Sequence, residues 1–312
     1  MVNEREQIEA ALAGQHLHFW VRPHTADALV VQEVIQNPFY QAALSTIGKD
    51  AVVIDIGAHI GAFTILAALK GSRVLALEPV PANYDLLVDN LRLNCVQDRV
   101  EALNVAAWLS SGLRSMKVSD ESTAGSSLCY GRDTETEISV QCVVLDDLIA
   151  DRDVTTCDVL KLDCEGAEFE ILEALRPETW RQLRAIVLEY HLFSAAERST
   201  AQIVTPLLQN GFFVDEEAAE TPGLGYVLAI QDNRTVRLPL LEPLGLELAD
   251  SNLTRLPIVG PIWRVMRKPI HQLVVFYVNQ LVARYNEHQQ QAQICTRLIA
   301  QTQHWQDPDR PE

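Results

Sequence analysis

The chain has 312 residues, 48% of them apolar, with a mean hydropathy of +0.02 and a formal net charge of −17. That length accommodates one large α/β domain with an appendage, and the acidic balance argues against a nucleic-acid groove, which needs a basic face. The charge is uneven: residues 1–235 carry −18 and residues 236–312 carry +1.

Six cysteines, Cys95, Cys129, Cys142, Cys157, Cys164 and Cys295, form no CxxC pair and no Cys/His set with zinc spacing, so they read as reduced thiols. The N-terminal MVNEREQIEAALAG lacks the apolar core of a signal peptide. No apolar run approaches the roughly 20 residues of a membrane span. A cytoplasmic protein is expected.

In chain order, residues 1–50 read as an N-terminal cap. Asn3 is placed to cap a short helix ending at Gly14, residues 16–21 alternate like a strand, and Thr25 is placed to cap a helix over 26–36. A repeated rhythm follows. The apolar run 51–56 ends in glycines and opens a helix near 60–69; the run 73–78 precedes a helix over 82–93; residues 100–107 read as a third strand. Beyond an irregular Ser-rich stretch over 115–135 come a strand at 138–144 and a short helix at 145–150. Buried runs at 158–163 and 185–190 flank a helix over 167–175, and a helix over 200–209 leads to closing strands at 211–214 and 226–230. Apolar strands alternating with helices define an α/β protein whose parallel sheet is covered on both faces.

This domain is expected to span 51–235. Pro239, Pro243, Pro257, Pro261 and Pro269 mark a linker over 236–269. An amphipathic helix over 270–305 then carries a heptad stripe through Val274, Val278, Leu281, Tyr285, Ala292, Cys295 and Ile299. The stripe suits a homodimer seam or a helix folded back on its own domain. Trp263, Arg264, Arg267 and Lys268 offer a weak contact for an anionic membrane surface or a glycolipid substrate.

The first parallel strand ends Asp55-Ile-Gly57-Ala-His59-Ile-Gly61. Closely spaced glycines at a strand-to-helix turn let backbone approach a ligand. A dinucleotide site wants G-x-G-x-x-G, yet His59 and Ala62 occupy its second and third glycine positions, which disfavours a nicotinamide-dependent oxidoreductase or epimerase. Asp55 would repel pyrophosphate but can accept hydrogen bonds from the ammonium of an amino-acid ligand. Glu78, at the end of the next strand, is placed to accept hydrogen bonds from ribose hydroxyls.

These residues resemble the FkbM family of S-adenosylmethionine methyltransferases, whose usual turn is DIGANIG. Further matches are Arg22-x-x-Thr25-x-Asp27, Glu78-Pro79 with Asn83, Asn104-x-Ala106, Leu145-Asp146-Asp147-Leu148 and the distinctive Leu160-Lys-Leu-Asp163-Cys-Glu165-Gly166-Ala-Glu168. His59 stands where Asn is common and Cys164 where an aliphatic residue is common. The resemblance implies a Rossmann-like class I methyltransferase with a seven-stranded, mostly parallel sheet and its last strand reversed. It also implies S-adenosylmethionine as cofactor, with the methionine part over Asp55, Gly57, Ala58, His59 and Gly61, the ribose on Glu78 beside Pro79 and Asn83, and the adenine near Asn104 and Ala106.

Ligands of open α/β sheets bind outside the carboxyl ends of strands where the order reverses, which turns attention to Asp163, Glu165, Glu189 and His191. O-methylation of a glycan or small metabolite needs in-line positioning and a group that accepts the hydroxyl proton. Asp163 is the first choice as base and His191 the second, with Glu189 an orienting partner. Glu165, and less so Asp163, also suits helix capping, and a lone His suits a structural role. Asp163 with Glu189 also offers oxygen ligands for Mg²⁺, although no spacing assigns a metal. A non-catalytic cofactor-binding scaffold is the remaining alternative.

Overall fold

The computed structural model describes residues 4–12, 15–118, 127–128, 136–192 and 198–231. The proline-rich linker, the tail helix with its stripe, the Trp263 cluster and most of the Ser-rich stretch lie outside those residues.

Five strands that pack apolar residues on both faces run parallel: β3 (Val52–Ile56), β4 (Arg73–Leu77), β5 (Val100–Leu103), β9 (Val159–Leu162) and β10 (Ala185–His191). The antiparallel pair β11 (Phe212–Ala218) and β12 (Leu224–Gln231) completes a seven-stranded sheet of order β11-β12-β10-β9-β3-β4-β5, in which β12 alone is reversed. Alternation along each strand divides the core. Val53, Val74, Val159 and Val187 join one cluster, while Ile54, Leu75, Leu160 and Leu188 join the other. Helices α1 (Asp27–Gln36), α2 (Pro38–Ser45), α3 (Ala62–Leu69) and α4 (Pro81–Leu93) supply the first cluster through Val31, Tyr40, Phe63 and Leu87. Helices α5 (Leu145–Asp151), α6 (Glu168–Ala174), α7 (Pro177–Gln182) and α8 (Ala201–Gln209) supply the second through Leu148, Leu172, Trp180 and Leu207. This is the α/β architecture expected from the sequence, a seven-stranded, mostly parallel sheet with its last strand reversed. Among the described residues no helix is long and apolar enough to cross a membrane.

Three local expectations fail. The N-terminal segment is not a helix but strand β1 (Glu6–Leu12), paired antiparallel with β2 (Gln15–Val21). Ile8 and Leu12 fit a helical spacing, but Ile8, Ala10 and Leu12 also fit a period of two, and pairing with β2 puts all three against the core. The third strand stops at Leu103. Ala106–Ala107 forms a separate strand, β6, in a small sheet with β7 (Gly112–Val118) and β8 (Thr136–Val143). The break falls at Asn104, whose amide donates to the carbonyls of Glu78 (2.8 Å) and Pro79 (3.1 Å) and turns the chain across the end of β4. Finally, part of the stretch read as irregular is strand β7.

The N-terminal hairpin is fastened by Asn90 on α4. Its side chain accepts from the Trp20 amide (2.6 Å) and donates to the carbonyls of Trp20 (3.2 Å) and Ile60 (2.9 Å). Because Asn90 is fully buried, no water replaces these bonds. Asn90→Ala should lower unfolding stability by about 1–3 kcal/mol, read as an earlier urea midpoint; an unchanged midpoint contradicts this fastening.

Candidate active site

The β3-to-α3 turn is set by backbone conformation. Gly57 (φ 77°) and Gly61 (φ 96°) lie in the left-handed region, and His59 joins them at φ 51°. At Gly57 there is also no room: a Cβ would lie 1.8 Å from the Asp163 carbonyl oxygen. Glycine therefore lets the end of β9 close against the turn.

A buried ion pair binds the same two elements. Asp55 and Lys161 are direct partners across the parallel ladder of β3 and β9. Lys161 Nζ donates to the Gly57 carbonyl (2.6 Å) and lies 3.2 Å from Asp55 Oδ1 and 3.4 Å from Asp163 Oδ2. The Thr64 hydroxyl donates to Asp55 Oδ2 at 2.5 Å. Burial alone would lower the Lys161 pKa, but the Asp55 and Asp163 carboxylates outweigh it and raise the pKa above its ordinary value.

Glu78 is 4% exposed and faces the turn. Its Oε2 accepts from the His59 amide (2.8 Å), and its Oε1 from the Val80 amide (2.9 Å) and the Asn83 side chain (3.3 Å). Burial outweighs these hydrogen bonds and pushes its pKa up to about 7. Asn83 in turn accepts from Arg22 (2.7 Å), whose guanidinium grips the buried Asp27 at 2.8 and 2.9 Å. His59 Nε2 lies 3.4 Å from the same Asp27. The Arg22-x-x-Thr25-x-Asp27 segment is thus tied to the glycine turn on one side and to Glu78 on the other. Burial first, and the Arg22 charge second, lower the His59 pKa to about 4 against the pull of Asp27, leaving a neutral ring.

At the ends of β9 and β10 the chain gathers Asp163, Glu165, Glu189 and His191. Glu165 (φ 53°) and Gly166 (φ 101°) form a left-handed turn, which Glu168 holds by accepting from the amides of Cys164 (2.8 Å) and Gly166 (2.9 Å). Glu168 is fully buried and also meets His191 Nδ1 at 3.3 Å, while Glu165 lies 3.4 Å from His191 Nε2. Burial alone would lower the His191 pKa. The hydrogen bond and charge of Glu168, with Glu165 and Asp163, instead raise it to about 10. His191 is therefore an imidazolium at neutral pH, which speaks against its expected part as a proton acceptor. Burial, then the Asp163 charge, push Glu189 up to about 9. The buried Tyr40 hydroxyl stands between Asp163 (3.4 Å) and Glu189 (3.5 Å), long distances for O–H···O contacts.

One cavity of about 210 Å³ joins these groups. Of the expected cofactor residues, Gly57, His59, Glu78, Pro79, Asn83 and Ala106 line it, as do all four catalytic candidates. Asp55, Ala58, Gly61 and Asn104 do not. Asp55 is fully buried against Lys161 and Thr64, so its carboxylate supports the turn from beneath rather than facing the cavity as expected. No motif assigns a role to Lys161 or Glu168; a lysine inside an otherwise apolar parallel strand is the available signal for the first. Glu33 and Tyr40, equally unmarked in the sequence, reach the cavity from α1 and α2.

Sheet order, glycine turn and strand-end acid define a class I methyltransferase. The sequence matches the FkbM methyltransferase domain over residues 55–214, and the chain belongs to that family, whose cofactor is S-adenosylmethionine. It is 26% identical over 251 residues to methyltransferase sdnD of Sordaria araneosa, covering 70% of this chain and 93% of the relative. It is 30% identical over 195 residues to the 31-O-demethyl-FK506 methyltransferase FkbM of Streptomyces tacrolimicus (53% and 74%). A 27% identity over 143 residues links it to the hexuronic acid methyltransferase AglP of Haloferax volcanii (46% and 57%). Family membership sets aside the nicotinamide reading.

The raised His191 pKa carries a sign. Its contribution to stability is complete below the ordinary value of about 6.5 and is lost as pH rises through about 10. Imidazole NMR signals of His191 should stay those of the protonated ring from pH 6 to beyond 8, and Glu168→Gln should move the transition down towards neutrality. Titration near pH 6.5 in the parent protein would contradict the ion-pair arrangement.

Proposed function

We propose that this protein transfers a methyl group from S-adenosylmethionine to a hydroxyl oxygen of a glycan or a small hydroxylated metabolite. One observation carries the reading: Gly57 and Glu78 share a single cavity with Asp163, Glu165 and Glu189. The donor set fits the cofactor. A buried carboxylate on the wall suits a ribose diol, and a wall rich in carboxylates suits a cationic ligand. The names of two relatives, one specifying methylation at an oxygen of FK506 and one a hexuronic acid, support the choice of acceptor class.

When bound, S-adenosylmethionine supplies an electrophilic methyl group on a sulfonium. The chain's residues do the rest. Glu78 Oε2 keeps a lone pair beyond the one used by the His59 amide, and it accepts a ribose hydroxyl, while Oε1 is taken by the Val80 amide and Asn83. Asp163 takes the proton of the acceptor hydroxyl, since an alcohol is a poor nucleophile until its proton is accepted. Lys161, on its far side, holds that carboxylate in place. Tyr40 and Glu189 orient the acceptor beside it, and α1 and α2 wall the cavity so that the reacting atoms stay in line.

Paired variants test the reading. Asp163→Asn should cut release of S-adenosylhomocysteine with hydroxylated acceptors by about 10²–10⁴-fold while nearly preserving cofactor affinity. Glu78→Ala should do the reverse first, weakening cofactor binding by about 1.5–3 kcal/mol. Full turnover by Asp163→Asn, or undiminished binding by folded Glu78→Ala, contradicts the assignment.

A further inference from the structure

We propose that Asp163, Glu189 and His191 form a binding site for a hard divalent cation of the Mg²⁺ or Mn²⁺ class, on the wall of the acceptor end of the cavity. Its catalytic use rests on the methyl-transfer reading above; its existence does not. One ligand atom from each of the three side chains lies within 4.8 Å of the others. Oxygen or nitrogen atoms bound at about 2.0–2.2 Å from one ion stand some 3–4 Å apart, so small side-chain rotations close the set.

The sheet explains why the three meet. Leu162 and Leu188 are register partners, so Asp163 and Glu189 leave adjacent parallel strands side by side, and His191 follows two residues later on the same face as Glu189. The imidazole is also held as a ligand is held. A metal-binding histidine usually passes its other ring N–H to a carboxylate, which fixes the ring and raises its basicity. Here Nδ1 meets Glu168, itself clamped by two backbone amides and fully buried. Nε2 faces the other carboxylates, with Glu165 at 3.4 Å.

The array of oxygen atoms suits the same occupant. Asp163, Glu165 and Glu189 converge on one cavity wall, while the Lys161 ammonium beside them is shared with Asp55 and the Gly57 carbonyl. Tyr40 contacts the Asp163 and Glu189 oxygens only at 3.4 and 3.5 Å. The two carboxylates suit Mg²⁺ or Mn²⁺, and the imidazole shifts the preference toward the transition metal. Three protein ligands leave positions of an octahedral ion for water or for acceptor oxygens. Binding releases the Nε2 proton of His191 and the carboxyl proton of Glu189 to solvent as the ion takes their place. An acceptor hydroxyl on the ion becomes more acidic, and its proton goes to the Asp163 oxygen that does not ligate.

The test uses the full chain, stripped with EDTA and titrated with Mn²⁺ alone, with bound ion read by electron paramagnetic resonance. One Mn²⁺ per chain below about 1 mM is expected, weakened at least about tenfold by Asp163→Asn or Glu189→Gln. Glu168→Gln, which leaves all three ligands in place, should weaken it about 10–100-fold. Circular dichroism melting confirms that each variant folds. No binding by the parent chain, or equal binding by all three folded variants, overturns the site. Methyl transfer persisting in EDTA beside absent Mn²⁺ binding overturns it too, while leaving the proposed function standing.

Discussion

The ammonium of Lys161 holds the candidate site together. It is a cation 3% exposed inside a parallel sheet, and a buried charge is costly unless fully compensated. Compensation comes from Asp55 beside it on the ladder, from the Gly57 carbonyl in the glycine turn, and from Asp163 at the strand end. Each partner belongs to a different part of the site. The price of burying the lysine is therefore met only when β3, the turn and the end of β9 take one mutual arrangement. Gly57 completes it, since any side chain there would collide with the Asp163 backbone.

A second network holds the opposite wall. Asp27, Arg22, Asn83 and Glu78 form a continuous chain of hydrogen bonds, and His59 closes it from the turn. The N-terminal segment is thus part of the site and not an ornament on the sheet. Through α1 and α2 it also brings Glu33 and Tyr40 to the cavity, where Tyr226 donates to Glu33 at 2.5 Å and packs edge-on to Tyr40. The turn lies between two polar networks, one beneath it and one in front, which leaves it little freedom to move. Preorganisation of this kind favours a reaction that depends on positioning.

Much of this was legible in the sequence because it is periodic or local. Buried strands and helices alternate in chain order, and a one-residue period shift would send a strand's apolar residues into polar surroundings. The strand-end acids and the glycines could be read off their positions. What was not legible depends on partners far apart in the chain. Segment 6–12 satisfies two periodicities, and only pairing with β2 chooses between them. Asp55 sits at a cofactor-like position, yet its direction depends on Lys161, 106 residues later. Glu168 looks like any acid in the first turn of a helix until the fold brings His191 against it.

We infer that the buried Lys161–Asp55 pair, although off the cavity wall, sets the geometry that binds cofactor. Removing one partner would strand a charge, so the direct measurement uses the double variant Lys161→Gln/Asp55→Asn, which neutralises both. Calorimetric titration with S-adenosylmethionine should show binding at least about tenfold weaker, or about 1.4 kcal/mol, in a protein that still unfolds cooperatively. Parental affinity in that folded variant would contradict the account.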